Sequence, residues 1–428
     1  MNIDKLHLSY DKYTLDNGLT VLLSEDNTIP SAAINICYKV GSKDDDINKR
    51  GIAHLFEHLM FEGSKNVPKG DYDRYCQTSG GENNAYTNED KTNYFIILPS
   101  HSIDLGLWLE SDRMLAFSVT NDSLNIQKEV VIEEKKQVYD NKPYGSLSLE
   151  FPPRLYKSGG YSWDTIGYTD DIKSATLLDV KKFYENFYVP NNAVLSIAGN
   201  FDKDKIIESI NKYFGCIKPG NIVRNSVPDY EFNTGEITDI IYDKIQVPGI
   251  FMGYKIPKEN SREHYIFEII SEVLSTGESS RFYRNLVYDK QLVSEIGSYV
   301  DAKESAGTFY IYSILMPGVK PEEAEAEINT IINDVITNGI SEKELLKVKN
   351  RIETGLTYRM QTIINKADIL AHFEAFFDNA GMVNSIIDNY LKITINDIFE
   401  QAKKYLSTDN RVVLKYLPYK FDNKIIYA

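Results

Sequence analysis

The sequence predicts an α+β protein built from two related halves, and three observations carry that prediction. A hairpin of β-rich segments opens the chain and gives way to helical periodicity. A polar stretch at about 218–236, KPGNIVRNSVPDYEFNTGE, contains proline and glycine and sustains no periodicity, which marks a linker at the midpoint. Beyond it the alternation of strand and helix returns. The expected organisation is a first domain over 1–217, a linker over 218–236 and a homologous second domain over 237–428.

The opening run YTLDNGLTVLLSED places Asn17-Gly18 between β-rich segments, the strongest short hairpin signal, and SAAINICYKVGS follows as another strand. Helical pattern takes over in GIAHLFEHLMFEG. The loop GSKNVPKGD, a helix in YDRYCQTSG and strands in NNAYTNEDKTNYFIILP come next. A long helix spans about 122–139 and stops before Pro143. Further on come a helix around LLDVKKFYENFY, a strand in NAVLSIAGNFD and a helix from about Lys203 to Phe214. In the second half QVPGIFMGYKI, HYIFEIISEVLSTG and GTFYIYSILM read as strand, helix and strand, with helices to the end. Matching the helix before Gly63 to the helix before Gly277 puts Glu268, Ser271 and Glu272 where the first half has His54, Glu57 and His58. On that register only the first copy keeps a histidine pair.

Composition excludes several classes. At roughly 150 residues per domain, a chain of 428 residues makes two or three domains. Hydrophobic residues at 42% and charged ones at 25% are a globular mix rather than a disordered or membrane one. No apolar run reaches the roughly 18 residues a membrane span needs. The first residues show no apolar secretory segment. A net charge of −15 argues against nucleic acid as a partner. The three cysteines, Cys37, Cys76 and Cys216, lie far apart with no CxxC, which argues against a cysteine zinc site or a disulfide framework. A cytoplasmic location is the expectation.

Histidine is scarce, six in all, yet His54 and His58 stand four residues apart. On a helix Ile52, Leu55, Phe56, Leu59 and Met60 make one apolar stripe. His54, Glu57 and His58 fall on the opposite side. A structural histidine belongs on the apolar face, and these avoid it. At i and i+4 two imidazoles reach one metal ion. Glu57 between them can hydrogen-bond a water at that metal and take its proton during attack on a peptide carbonyl. The pattern HxxEH is the inverzincin signature.

A catalytic zinc takes three protein ligands and keeps an open position. His7, His101, His264 and His372 have no comparable setting, so a carboxylate is the better third ligand. In NIQKEVVIEEKKQVYD, Glu134 shares a face with Gln127, Val131 and Val138, whereas Glu129 and Glu133 point with Lys136 to the other side. A carboxylate among valines is costly unless a cation compensates it, and zinc is such a cation. The alternative is a buried Glu134 paired with a lysine or arginine.

These motifs resemble those of the pitrilysin, insulysin and mitochondrial processing peptidase superfamily of zinc metallopeptidases. The resemblance runs through YTLDNGLTVLLSED, VGSKDD, GIAHLFEHLMFEGS, GGENNAYTNEDKTNYF, VVIEEKKQVYDNKP, FYVPNNAVLSIAGNFD and, more loosely, GESSRFYRNLVYDKQLVSEI. It implies two homologous α+β domains, each a mostly antiparallel sheet with helices packed on it. Two such pairs close as a clamshell around a chamber. It implies one zinc per chain on His54, His58 and Glu134, with Glu57 as general base. It implies that unfolded peptides add as an extra strand beside Asn84, Ala85 and Tyr86, in the segment Asn84–Thr87, held by backbone hydrogen bonds.

Two positions depart from the family. Where a glutamate often stands seven residues before the third ligand, this chain has Gln127, which shares Glu134's helix face. Active members use an arginine and a tyrosine of the second-half domain on the scissile carbonyl. Arg281 matches the arginine, but the tyrosine position thirteen residues on is Ser294, too short to replace a phenol, and Tyr299 is out of register. The expectation is therefore a heterodimer whose homologous partner supplies the Arg/Tyr pair. The alternatives are a homodimeric peptidase, a specific processing peptidase and a non-catalytic scaffold subunit of the kind found in respiratory complexes.

Overall fold

The computed structural model describes residues 7–224 and 230–419, so part of the 218–236 linker lies outside the described residues. The first sheet contains β1 (Asp11–Thr14), β2 (Thr20–Glu25), β3 (Ser31–Tyr38), β4 (Glu82–Thr87), β5 (Thr92–Pro99) and β6 (Ala193–Gly199). Their order is β1-β2-β6-β3-β5-β4. Only β2 and β6 pair in parallel; the other neighbours are antiparallel. The opening hairpin forms as expected, with Thr14 opposite Thr20 and Gly18 at φ +85° in the connecting turn. The Asn17 side chain donates to the Phe214 and Ile217 carbonyls and ties that turn to the end of the helix Lys203–Phe214.

The second sheet contains β7 (Ile237–Asp243), β8 (Gly249–Ile256), β9 (Val293–Ala302), β10 (Gly307–Leu315) and β11 (Arg411–Pro418), in the order β7-β11-β8-β10-β9. Here too one pair, β7 with β11, is parallel and the rest are antiparallel. Setting β7, β11, β8, β10 and β9 against β2, β6, β3, β5 and β4 reproduces every neighbour and every strand sense. The two halves are thus one α+β topology used twice.

The domain limits differ from the expected contiguous ranges 1–217 and 237–428. Among the described residues, 7–135, 163–224 and 355–386 form one compact unit, and 136–162, 230–354 and 387–419 form the other. Apolar burial is the reason. In the first unit Ile363 and Ala367, on the helix Ile363–Phe377, form a core with Ala33 on β3 and Ala198 on β6. In the second unit Phe151, Leu155 and Tyr156 join Phe251, Leu414 and Tyr416.

The expected helix over 122–139 is observed as Asn121–Lys135 continuing into a π-helical turn, Lys136–Asp140. That turn changes the phase of the helix. Val131 is buried as expected, but Val138 is exposed. The tail is not helical to its end, because β11 completes the second sheet. No described helix is long and apolar enough to cross a membrane.

Candidate metal centre and the adjoining edge strand

The histidine helix is Ile52–Leu59. Its stripe of Ile52, Leu55, Phe56, Leu59 and Met60 is buried, leaving His54, Glu57 and His58 on the accessible side. Burial of that stripe fixes the helix against the core at roughly 25 cal/mol per Å² of apolar surface. Its start is held by Asp45, buried in the loop before it, whose carboxylate accepts from the Gly51 and Ala53 N–H groups at 2.7 and 3.0 Å. Gly51 itself sits at φ +93°, and a Cβ there would lie 2.8 Å from the Ile166 carbonyl oxygen. The chain can enter the helix here only through glycine.

Glu134 comes from the helix Asn121–Lys135, which packs against the histidine helix. Its Oε2 lies 3.3 Å from His58 Nε2 and 3.8 Å from His54 Nε2. The three donor atoms lie within 4.8 Å of one another, and no other group of at least three His, Cys, Asp or Glu side chains among the described residues forms such a cluster. Zinc bonds of about 2.1 Å in a tetrahedron separate ligand atoms by about 3.4 Å, close to the observed spacings. Glu129 and Glu133 are exposed on the other side of the helix.

The electrostatics suit a cation. Burial, followed by the neighbouring His58, pulls His54 down to about 4, so it presents a neutral imidazole at neutral pH. The hydrogen bond from His58 holds Glu134 below the usual carboxylate range. Burial lowers His58, but its hydrogen bond with Glu134 and that carboxylate's charge outweigh burial and raise it. Two imidazoles and an ionised carboxylate converging on one point are a fitting donor set for zinc.

Glu57 faces the same side. Burial raises its pKa, partly offset by the Thr87 hydroxyl, which donates to Oε2 at 2.5 Å. Thr87 ends β4, the outer strand of the first sheet, paired only with β5. Asn84 is exposed, Ala85 and Tyr86 are half-buried, and the far edge of the strand is unpaired within the sheet. The Tyr86 hydroxyl donates to Asp368 at 2.6 Å, and Lys91 lies 3.4 Å from the same carboxylate oxygen. Gln127 donates to Glu62 at 2.6 Å. Sequence reasoning missed Asp45, Glu62 and Asp368. Nothing local in VGSKDD marks out Asp45, and Asp368 is separated from Tyr86 by most of the chain.

The second-half residues are engaged within their own unit. Arg281 donates to Glu344 through Nε and Nη2 at 2.9 and 3.0 Å, to Asp334 through Nη1 at 2.9 Å and to the Gly339 carbonyl at 3.0 Å. Ser294 donates to the Ile314 carbonyl. Tyr299 stacks on Tyr310. At the positions matching the histidine motif, Glu268 accepts from Tyr390, Ser271 donates to Ser298 on the outer strand β9, and Glu272 pairs with Arg351.

Residues 20–152 match the family described as insulinase (peptidase family M16), and residues 174–352 match the one described as peptidase M16 inactive domain. The zinc protease PqqE of Helicobacter pylori is 29% identical over 414 residues, which cover 92% of this chain and 90% of that protein. The crystal structure of a protease from Helicobacter pylori aligns with a TM-score of 0.91 at 26% identity, covering 96% of this chain and all of that one. An M16 inactive-domain structure from Pseudomonas fluorescens shares the fold, with a TM-score of 0.87 at 16% identity over 97% of this chain and 99% of that one.

Proposed function

Because the chain belongs to the insulinase (M16) family of peptidases, whose members similar to it include named zinc proteases, we propose that it is a zinc-dependent endopeptidase acting on unfolded peptides. The observation that carries the reading is the convergence of His54, His58 and Glu134 with Glu57 beside them. His54, His58 and Glu134 would hold one zinc per chain. Zinc bound there would supply a Lewis acid that polarises the scissile carbonyl and acidifies water. Glu57 takes the proton of the attacking water and returns it to the leaving amine, a task helped by a pKa raised toward neutrality. Thr87 fixes the orientation of that carboxylate. Asn84, Ala85 and Tyr86 offer a free strand edge for backbone pairing with substrate, a mode that reads little sequence.

In the same reading the catalytic part is the unit of 7–135, 163–224 and 355–386, and the homologous part is the unit of 136–162, 230–354 and 387–419. The chain is the HxxEH subunit of a heterodimer enclosing a chamber. Two observations support the heterodimer: Ser294 stands in the tyrosine place, and the Arg281 guanidinium is committed to Glu344, Asp334 and Gly339. Three unpaired cysteines favour a reducing cytoplasm.

Metal analysis and a peptide-hydrolysis assay test the reading together. The chain should carry one zinc, and Glu57→Gln should keep the zinc while cutting hydrolysis by roughly 10²–10⁴-fold. A wild-type chain without zinc, or full turnover by Glu57→Gln, refutes the catalytic reading. Full activity of a purified homodimer refutes the heterodimer.

A further inference from the structure

Three parts of the metal-site unit meet at one short turn, Ser42–Asp44, which has no role in the mechanism above. On one side the turn docks on the loop that joins β4 to β5. Ser42 and Lys43 donate their N–H groups to the Asn88 and Glu89 carbonyls at 3.1 and 3.0 Å, and the Lys43 ammonium lies 2.7 Å from Asp90. Gly41 permits this approach, since a Cβ there would lie 2.3 Å from the Asn88 carbonyl oxygen. That loop follows directly on Thr87, whose hydroxyl holds Glu57. On the other side the turn runs into Asp45, which holds the Gly51 and Ala53 N–H groups at the start of the histidine helix.

The third part is Arg224, at the end of a stretch that the sequence marks as linker. Reciprocal hydrogen bonds fix the backbone leading to it: Asn191 and Gly220 exchange two at 3.0 and 2.8 Å, and Asn186 and Val223 exchange two at 2.7 Å. The guanidinium so placed donates to Asp44 at 2.8 Å, to the Lys39 carbonyl and to Asn192 Oδ1 at 3.2 Å. The Asp44 side chain is only 6% exposed and also accepts from the Gly41 N–H at 3.2 Å. Asp44 and Asp45 are adjacent buried carboxylates that repel each other, and Arg224 supplies compensating charge beside them.

We propose that Arg224 is a positioning residue for the peptidase centre: its grip on Asp44 sets the turn Ser42–Asp44, and through that turn both the start of the histidine helix and the hairpin that carries Thr87. The kinetic consequence rests on the peptidase reading above, whereas the mechanical coupling stands on the hydrogen bonds alone. Without the guanidinium, the buried Asp44 loses its ion-pair partner and the turn loosens on both sides. Glu57 and the Thr87 hydroxyl then lose their fixed mutual geometry, and a misplacement of about 1 Å at a reacting group can cost about 10²-fold in rate.

The test compares wild type with Arg224→Gln by amide hydrogen exchange on the metal-free chain and by steady-state kinetics on the zinc-loaded chain. Exchange should quicken about tenfold in peptides covering 41–53 and 87–91 while β2 and β6 keep wild-type protection, the pattern of a local opening. The kcat should fall about tenfold with KM within about twofold, because Asp368 still tethers Tyr86 and the strand edge. A role in stability alone gives faster exchange throughout the unit and an unchanged kcat per zinc-loaded chain. That result overturns the proposal, as does wild-type exchange in either segment or an unchanged kcat with local opening. If Arg224→Gln fails to fold, Asp44→Asn breaks the same ion pair from its other end and should open the same two segments; unchanged protection there also overturns the coupling. A wild-type chain without zinc or turnover brings down the peptidase reading, and the exchange result then decides the coupling by itself.

Discussion

Replacing Thr87 by valine removes a hydroxyl but little volume, so the change isolates one hydrogen bond to the proposed base. In the structure that hydroxyl donates to Glu57 Oε2 at 2.5 Å inside a buried site. Hydrogen bonds to charged groups contribute about 1.5–3 kcal/mol. At 1.36 kcal/mol per pKa unit that is about one to two units, and the lower figure applies where the protonated acid keeps part of the contact. The direction is fixed. Burial already raises Glu57, and Thr87 is the main group pulling it back, so valine raises it further. As the proposed base, Glu57 would work only when unprotonated, so activity would be lost as pH falls through its pKa. The acid limb of the kcat/KM profile should therefore move up by about one unit in Thr87→Val. Turnover of a quenched fluorescent unfolded peptide, measured with zinc content checked at each pH, gives the profile. A limb that stays in place or moves down, with zinc content unchanged, refutes the placement of Glu57 as base or the role of Thr87.

Four further outcomes follow from the same geometry. Glu57 is a carboxyl whose folded pKa lies above its ordinary value, so its stability cost is absent below that ordinary value and fully present above the raised one. Glu57→Gln should then raise the melting temperature of the metal-free protein at neutral pH by roughly 2 °C, as scanning calorimetry would show, and should change little in acid. A strong chelator should abolish hydrolysis, and added zinc should restore it at one equivalent per chain, read by activity and metal analysis. Asp45→Ala strips the partners from two N–H groups at the start of the histidine helix, and chemical denaturation should show a loss of about 2 kcal/mol. Asp368→Asn weakens the tether of Tyr86 and the edge strand; steady-state kinetics should show KM rising about fivefold with kcat nearly unchanged.

The parts of the site legible in the sequence were those with local periodicity. His54, Glu57 and His58 stand opposite a strict apolar stripe, and Glu134 separates from Glu129 and Glu133 by helix face alone. What stayed hidden depends on partners distant in sequence. Thr87 reads as a strand residue until Glu57, thirty positions earlier, is seen to meet it. The helix Ile103–Ala116 carries Glu110, Ser111, Asp112 and Arg113, a polar run of the kind that ordinarily faces solvent. All four are buried: Arg113 pairs with Glu110, and Asp112 accepts from Asn66. β7 borders the polar linker and β11 follows a long run of helices, so neither stands out locally, and they pair with each other in parallel.

The helix Ile363–Phe377 has a consequence for biosynthesis. It completes the core beneath β3 and β6, yet it emerges from the ribosome some 160 residues after Ile217. At elongation speeds of about 5–20 residues per second that is a wait of roughly 10–30 s. Throughout it the nascent metal-site half carries Ala33, Ile97 and Ala198 without their cover. An early stop codon or a nick before residue 363 would strand that half as an aggregation-prone intermediate, even with His54, His58 and Glu134 already made.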